Sequence, residues 1–310
     1  MFSPECGILE DDTAAIVQWQ NAALWQRMSW VRNPLAAPIT LFPPVPRPSP
    51  QSPAEPLSQP SPNRVFAGTS GWAYPTWKPG FYAEGVSAKK FLPFYAVRLN
   101  SVEVNYTFTK LPSAGQVAEW MAAVPDGFRF SFKAPQRITH FNRLRECETH
   151  LAEFFKLLVP VAKARKLGLV LFQLPPNFRA DPARLAAFLQ LAAVRKKSAP
   201  RIAFEFRHAS WFADETYTLL KRAGAALCIA DTDDLQTPEI HPAATHTCFR
   251  LRRDGGYSPR EIAAFAHRFA ALGRDREVYA YFRHQDEPTG ALNALALHRC
   301  LRGEADETAP

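Results

Sequence analysis

Glutamate and arginine alternate with phenylalanine in the segment AFEFRHASWF, residues 203–212. Successive side chains of a β-strand point to opposite faces, so a strand here separates Phe204 and Phe206 from the charged pair. That pair is Glu205 and Arg207. A carboxylate beside a guanidinium can serve acid–base chemistry, since burial and the neighbouring charge set its pKa. A buried ion pair that only fills the interior is the alternative, and it carries a high desolvation cost.

Polar residues recur at the ends of other strand-like segments. We predict that Glu205 acts as general acid or base, with Glu103 and Asp231 as further catalytic carboxylates. Guanidinium and ammonium groups suit phosphate oxygens, so basic residues at these ends are predicted to bind an anion. The predicted substrate-binding residues are Thr69, Ser70, Trp72, Asn105, Lys133, Arg137, His140, Gln173, Arg207, His208, Trp211 and Arg250.

Eight short apolar segments alternate with helix-like segments after residue 64, which is typical of parallel βαβ units. Helices are indicated by capping residues such as Ser113, Asp181 and Ser258, and by Gly224 and Gly273 at helix ends. Eight such units predict an α/β fold, a (β/α)8 TIM-type barrel, with the active site at the C-terminal ends of the strands. An open doubly wound sheet lacks its glycine-rich fingerprint here. The predicted strands are 65–70, 101–106, 128–133, 167–174, 201–206, 225–231, 246–251 and 277–282.

The composition changes along the chain and predicts four segments. Residues 34–63 hold eleven of the 28 prolines and form a proline-rich linker. Residues 1–33 form an N-terminal extension, either a short helix with apolar residues at helical spacing or an unstructured segment. The barrel domain spans 64–303, and residues 304–310 form a C-terminal tail.

The net charge of +8 favours anionic partners, either a small anionic ligand or nucleic acid. Five cysteines without C-x-x-C spacing indicate neither a disulfide framework nor a zinc site. No apolar run approaches the roughly 20 residues that cross a bilayer, and the N-terminus is acidic, unlike a signal peptide. These features predict a cytoplasmic protein without a membrane partner.

Several functions fit these residues. The first is hydrolysis of a phosphate-containing or nucleic-acid-derived substrate at the mouth of the barrel. A divalent metal is a weakly supported variant, because His140, His208, His246 and His284 lack metal-ligand spacing, and no organic cofactor is indicated. The alternatives are a nucleic-acid-binding barrel with tryptophan stacking, a glycosidase-like hydrolase and a scaffold using the proline-rich arm. The oligomeric state is left open.

Six segments resemble, in order, the signature segments of the YecE-like family, catalogued as domain of unknown function 72. They are GTSGWAYPTWK, FYAEG, NSVEVNYTFTKLPS, FRFSFKAPQRITH, LFQLPPNF and FEFRHASWF. The resemblance runs from Val65 to Arg302 and implies a TIM-type barrel, similar in shape to endonuclease IV and xylose isomerase, without an established activity. It carries over the site residues named above. In CFRLRRDGG Arg250 is kept, but Arg252 stands where relatives tend to have histidine, and FRHQDEPTG replaces an Asn/Asp-rich turn.

Overall fold

Eight parallel strands close into a barrel in the computed structural model, which describes residues 64–283 and 286–304. Each strand pairs with its neighbours in chain order, and the last pairs with the first. The predicted N-terminal helix, the proline-rich linker, His284 and residues 305–310 lie outside the described residues. The strands are β1 (Val65–Ser70), β2 (Ser101–Val104), β3 (Arg129–Lys133), β4 (Leu167–Gln173), β5 (Arg201–Glu205), β6 (Ala226–Asp231), β7 (His246–Leu251) and β8 (Glu277–Phe282).

Helices connect the strands on the outside of the barrel, which confirms the predicted (β/α)8 architecture. One expectation fails: the connection from β6 to β7, residues 232–245, contains no helix. The α-helices of the described ranges are α1 (Phe91–Ala96), α2 (Tyr106–Thr109), α3 (Ala114–Ala122), α4 (Glu148–Lys163), α5 (Pro182–Leu189), α6 (Ala192–Arg195), α7 (Asp214–Ala223), α8 (Pro259–Leu272) and α9 (Thr289–Leu301). None of them is long and apolar enough to cross a membrane.

The predicted capping residues begin the helices as expected. The Ser113 and Asp181 side chains each accept a hydrogen bond from the backbone N–H three residues on, at the starts of α3 and α5. Ser258 and Glu261 form a reciprocal capping box at the start of α8. These bonds satisfy backbone donors that the first helical turn leaves unpaired.

The two glycines predicted at helix ends serve different purposes. Gly224 ends α7 with φ of 65°, the left-handed conformation that favours glycine. Gly273 ends α8 with φ of −66°, so no left-handed turn requires it. A Cβ at Gly273 would lie 3.1 Å from Val65 Cγ2 and from the Phe269 carbonyl oxygen, so a side chain there would require these neighbours to shift by a few tenths of an ångström.

Side chains alternate along the strands between the helix layer and the barrel lumen. The outward residues include Phe132 and Phe204, which are fully buried in the main hydrophobic core, as predicted. Deep in the lumen, Tyr281 donates a hydrogen bond to Ser131 Oγ at 2.7 Å and bonds Ser101 Oγ at 2.8 Å. Charged residues lie above this layer, at the C-terminal ends of the strands.

Candidate functional site

Arg250 of β7 lies at the centre of a buried ionic cluster. Its guanidinium donates two hydrogen bonds to Glu103 of β2, Nε to Oε2 at 2.9 Å and Nη2 to Oε1 at 2.8 Å. Its Nη1 forms an ion pair with Glu205 of β5 and donates to Gln173 Oε1 at 3.3 Å. The side chains of all three charged residues are at most 1% exposed. Barrel closure thus brings side chains from the ends of β2, β4 and β5 into contact with one guanidinium on β7.

Two more arginines border this centre. Arg207 pairs with Glu205 through its Nε. Arg252 donates from Nη1 to Ser70 Oγ at 3.0 Å, and Ser70 in turn donates to Glu103 Oε1 at 2.8 Å. Lys133 ends β3 two residues after lumen-facing Ser131, so the alternation of the strand directs it to the same side. We name the eight residues the lumen cluster: Ser70, Glu103, Lys133, Gln173, Glu205, Arg207, Arg250 and Arg252.

The two glutamates of the lumen cluster are held ionised. Burial alone would raise the pKa of Glu205, but the charges of Arg250 and Arg207 outweigh it and lower that pKa to about 2. The pKa of Glu103 is likewise lowered, because Arg250 and Arg252 outweigh its burial. A general acid or base needs a pKa near the working pH. In this arrangement both glutamates anchor Arg250, and the acid–base role of Glu205 stays a prediction.

Two cations of the lumen cluster lack a carboxylate partner. In the described ranges, no carboxylate oxygen lies within 4.0 Å of the Arg252 guanidinium or of Lys133 Nζ. Burial and the charge of Arg250 lower the pKa of Arg252 to about 10, so it remains charged at neutral pH. The same two causes lower the pKa of Lys133 to about 7. The cluster thus offers one permanent and one titrating cation.

Lys133 lies against an aromatic wall. Its Nζ is 4.0 Å from the centroid of the Phe108 ring of α2, and the His140 ring meets Phe108 edge to face. Burial and the charge of Lys133 lower the pKa of His140 to about 4, so this imidazole is neutral near pH 7. Asn105, at the start of α2, has a buried Oδ1 without a hydrogen-bond donor in the part of the chain that the structure describes.

The structure does not bring Asp231, one of the predicted catalytic carboxylates, into the lumen cluster. Its carboxylate forms an ion pair with Arg253 at 3.1 Å and accepts from Gln236 at 3.0 Å. It lines a cavity of about 530 Å³ against β6, β7 and α8, beside the connection that has no helix. Asp231 therefore faces the outside of the barrel.

Four predicted binding residues have structural contacts instead. The Thr69 hydroxyl bonds the Tyr95 hydroxyl of α1 at 2.9 Å, on the helix side of β1. Trp211 is fully buried, and its Nε1 donates to the Phe178 carbonyl at 2.8 Å. The other two also bond other residues of the protein. His208 accepts a hydrogen bond from the backbone N–H of Ser210 at 3.1 Å, and exposed Arg137 donates to His150 at 2.7 Å.

The remaining predicted residues reach the lumen cluster or its border. Ser70, Lys133, Gln173, Arg207 and Arg250 belong to it, and His140 and Asn105 lie beside Lys133. Trp72 is half-buried and packs edge to face on Trp120. Arg252 is the member of the lumen cluster that is absent from the predicted site residues. Its position two residues after Arg250 was the available signal, since this spacing puts both on one face of a strand.

No group of three or more His, Cys, Asp or Glu side chains in residues 64–283 and 286–304 is arranged to hold a metal ion. His246, one of the histidines considered for a metal, bonds the Ile202 carbonyl through Nε2 at 3.0 Å, at the opposite end of the barrel.

A second basic region lies at that opposite end. A cavity of about 580 Å³ is lined by Arg195, Lys196, Arg201 and Arg222, with no carboxylate among its lining residues. The C-terminal face is where TIM barrels place their active sites. The lumen cluster, at the C-terminal ends of the strands, is therefore the candidate site.

The sequence matches a family model described as "Protein of unknown function DUF72" over residues 66–310. The curated UPF0759 protein YecE of Escherichia coli K12 is 30% identical over 196 residues, 61% of this chain and 66% of that protein. The match thus spans slightly under two thirds of that relative. UPF0759 protein YunF of Bacillus subtilis 168 is 26% identical over 250 residues, 72% of this chain and 83% of that protein.

Solved structures share the fold. A DUF72 family protein from Thermotoga maritima MSB8 superimposes with a TM-score of 0.67 at 25% identity, covering 77% of this chain and 99% of that chain. One from Enterococcus faecalis V583 gives a TM-score of 0.64 at 21% identity, covering 79% and 98%.

Proposed function

The chain belongs to the DUF72 family of proteins of unknown function, and from the charges at the mouth of its barrel we propose that it binds a phosphate-containing small molecule there. One observation carries the proposal. The lumen cluster holds three arginines and a lysine against two glutamates, and both glutamates are already bound by Arg250, one of them also by Arg207. Arg252 and Lys133 are left to bind a further anion.

The desolvated setting supports binding of phosphate over binding of a neutral sugar. A guanidinium in a half-buried site attracts an anion more strongly than one in bulk water. Glycosidases need one carboxylic acid that gives up a proton near neutral pH, and neither Glu103 nor Glu205 meets this need. For the same reason, hydrolysis with Glu205 as acid or base finds less support than binding.

A nucleic-acid-binding barrel also finds less support. Stacking on bases requires exposed aromatic faces. Trp77 and Trp211 are fully buried, and Trp72 packs on Trp120. The basic charge therefore fits a small phosphate compound better than a single strand stacked on tryptophans.

Replacing Arg252 by glutamine should weaken binding of inorganic phosphate roughly 10- to 100-fold, since a charge-assisted hydrogen bond contributes about 1.5–3 kcal/mol. Isothermal titration calorimetry at fixed pH measures this. Arg222→Gln is the matched control, because it removes the same charge from the cavity at the opposite end of the barrel. Phosphate binding that is lost in Arg222→Gln and kept in Arg252→Gln would place the anion in the cavity at the opposite end of the barrel and contradict the proposal.

Binding should also weaken as the pH rises through about 7, because Lys133 then loses its proton and its positive charge. Sulfate is the suitable probe, since its own charge does not change in this range. The dissociation constant should increase roughly tenfold or more between pH 6 and 8.5, the loss expected for one charged contact. Lys133→Met should give weak, pH-independent sulfate binding. If the dissociation constant of Lys133→Met increased by the same factor between pH 6 and 8.5, Lys133 would not be the group whose loss of a proton weakens binding.

A further inference from the structure

Among the lysines at residues 64–283 and 286–304 that are at least partly buried, Lys133 differs from the others in having no polar partner. Lys166 shows the common arrangement: its Nζ donates to two carbonyl oxygens at 2.9 and 2.7 Å and pairs with Asp126. Within the described residues, Lys133 Nζ makes neither a hydrogen bond nor an ion pair. It lies over the ring of Phe108. An amine held at a lumen mouth without partners is available to a ligand.

The lumen cluster itself keeps Lys133 without a partner. Glu103 and Glu205 are the carboxylates whose charge reaches Lys133, and Arg250 binds both of them. The positive charges of Arg250 and Arg252 also disfavour the ammonium form, as does burial. Lysines in such desolvated, cationic surroundings keep a free electron pair at neutral pH and act as nucleophiles towards carbonyl groups.

We propose that Lys133 forms an imine with the carbonyl carbon of a small aldehyde or ketone that also carries a phosphate group, the phosphate being bound by Arg252. This inference rests on the proposed anion binding and names the substrate class within it. The Lys133 Nζ electron pair attacks the carbonyl carbon, and one Nζ proton moves to the carbonyl oxygen to give a carbinolamine. The oxygen then takes a second proton from solvent water, the C–O bond breaks to release water, and the nitrogen electron pair completes the C=N bond. The remaining Nζ proton returns to solvent and leaves the neutral imine. No oxidant or reductant is consumed.

The surroundings of Lys133 fit such a ligand. The Thr107 hydroxyl of α2 donates to the Lys133 carbonyl oxygen at 2.6 Å, which fixes the start of α2 beside the end of β3. Asn105 precedes this helix, and its buried Oδ1 lacks a donor in the described chain. A hydroxyl next to the carbonyl of the substrate would supply that donor. The neutral His140 ring, edge to face with Phe108, adds no competing positive charge beside the amine.

The probe is pyridoxal 5′-phosphate, which combines an aldehyde with a phosphate. The full-length protein is incubated with about one equivalent, reduced with borohydride, digested and examined by mass spectrometry. We expect the pyridoxyl group mainly on Lys133, with a labelling rate that rises through about pH 7. Pyridoxal without phosphate should label Lys133 at least tenfold more slowly, and Arg252→Gln should reduce labelling by the phosphate compound to a similar extent. Lys89, Lys156 and Lys221 serve as exposed internal comparisons.

Label spread evenly over the lysines, or labelling of Lys133 that does not depend on the phosphate, would overturn the inference. Inorganic phosphate separates the two proposals. If phosphate binds wild-type protein and depends on Arg252 while Lys133 stays unlabelled, imine formation is wrong and anion binding stands. If Lys133 stays unlabelled and inorganic phosphate also fails to bind the wild-type protein, both proposals fail.

Discussion

Arg250→Met should lower the free energy of unfolding by about 3–5 kcal/mol, the cost of leaving buried charges without their partner. The substitution keeps an unbranched chain in the lumen but removes the cation that Glu103 and Glu205 share. Both carboxylates would then remain buried. Glu205 would keep its ion pair with Arg207, and Glu103 would keep the hydrogen bond from Ser70. Denaturant unfolding, followed by circular dichroism, measures the change.

Arg268→Met is the matched control for this prediction. Arg268 lies on α8 outside the barrel and forms a half-exposed ion pair with Glu239, so its loss should cost about 1 kcal/mol or less. Adding Glu103→Gln and Glu205→Gln to Arg250→Met should recover part of the loss, because neither position then holds a buried carboxylate that lacks the Arg250 cation. An Arg250→Met protein as stable as the wild type would show that the ion pairs of the lumen cluster do not stabilise the barrel.

Acid should destabilise the protein through Glu205. This group is ionised in the folded protein down to about pH 2, whereas in the unfolded chain it takes up a proton near pH 4.3. Below the higher value the unfolded state binds more protons, so the stability that is fully present above about pH 4.3 is lost as the pH falls towards 2. The shift corresponds to about 3 kcal/mol.

Glu205→Gln cannot take up this proton, so its free energy of unfolding should fall less steeply between pH 5 and 2 than that of the wild type. The variant should be less stable than the wild type at pH 7 and should approach it at low pH. Unfolding curves measured at several pH values compare the two. Parallel curves would mean that Glu205 has an ordinary pKa and is not held by the arginines.

The strands could be predicted closely from the sequence because phenylalanine and valine alternate with polar residues in β2, β3 and β5. The bounds differ by one residue at the start of β3 and of β6, and by one or two residues at the end of β2, β4 and β5. The segment 101–106 was predicted as strand throughout, but Asn105 has helical φ and ψ of −85° and −16° and begins α2. The local pattern does not record this change, since Asn and Tyr fit either conformation.

The facing of Asp231 could not be predicted, for a related reason. The segment ALCIAD is apolar on both faces of β6, so its alternation gives no contrast between lumen and helix layer. Cys228 packs in the lumen, which puts Asp231, three residues on, on the opposite face. The facing of Thr69 could not be predicted either, because small residues surround it in GTS.

The convergence of Glu103, Glu205 and Arg250 could be predicted from barrel closure, but their bonding could not. Whether Glu205 is a base or an anchor depends on whether Arg250 reaches it across the lumen. That contact joins residues 45 positions apart, and the one with Glu103 joins residues 147 apart. The register between neighbouring strands determines both contacts, and this register cannot be predicted from the sequence of a single strand.

Locating a bound anion in a crystal tests the central claim most directly. Crystals of the full-length protein soaked in tungstate, a heavy analogue of phosphate and sulfate, give an anomalous signal at each bound ion. We predict a tungstate at the mouth of the barrel, within hydrogen-bond distance of the Arg252 guanidinium and Lys133 Nζ. Tungstate found in the cavity beside Arg195 and Arg222, with none at the mouth, would contradict the account.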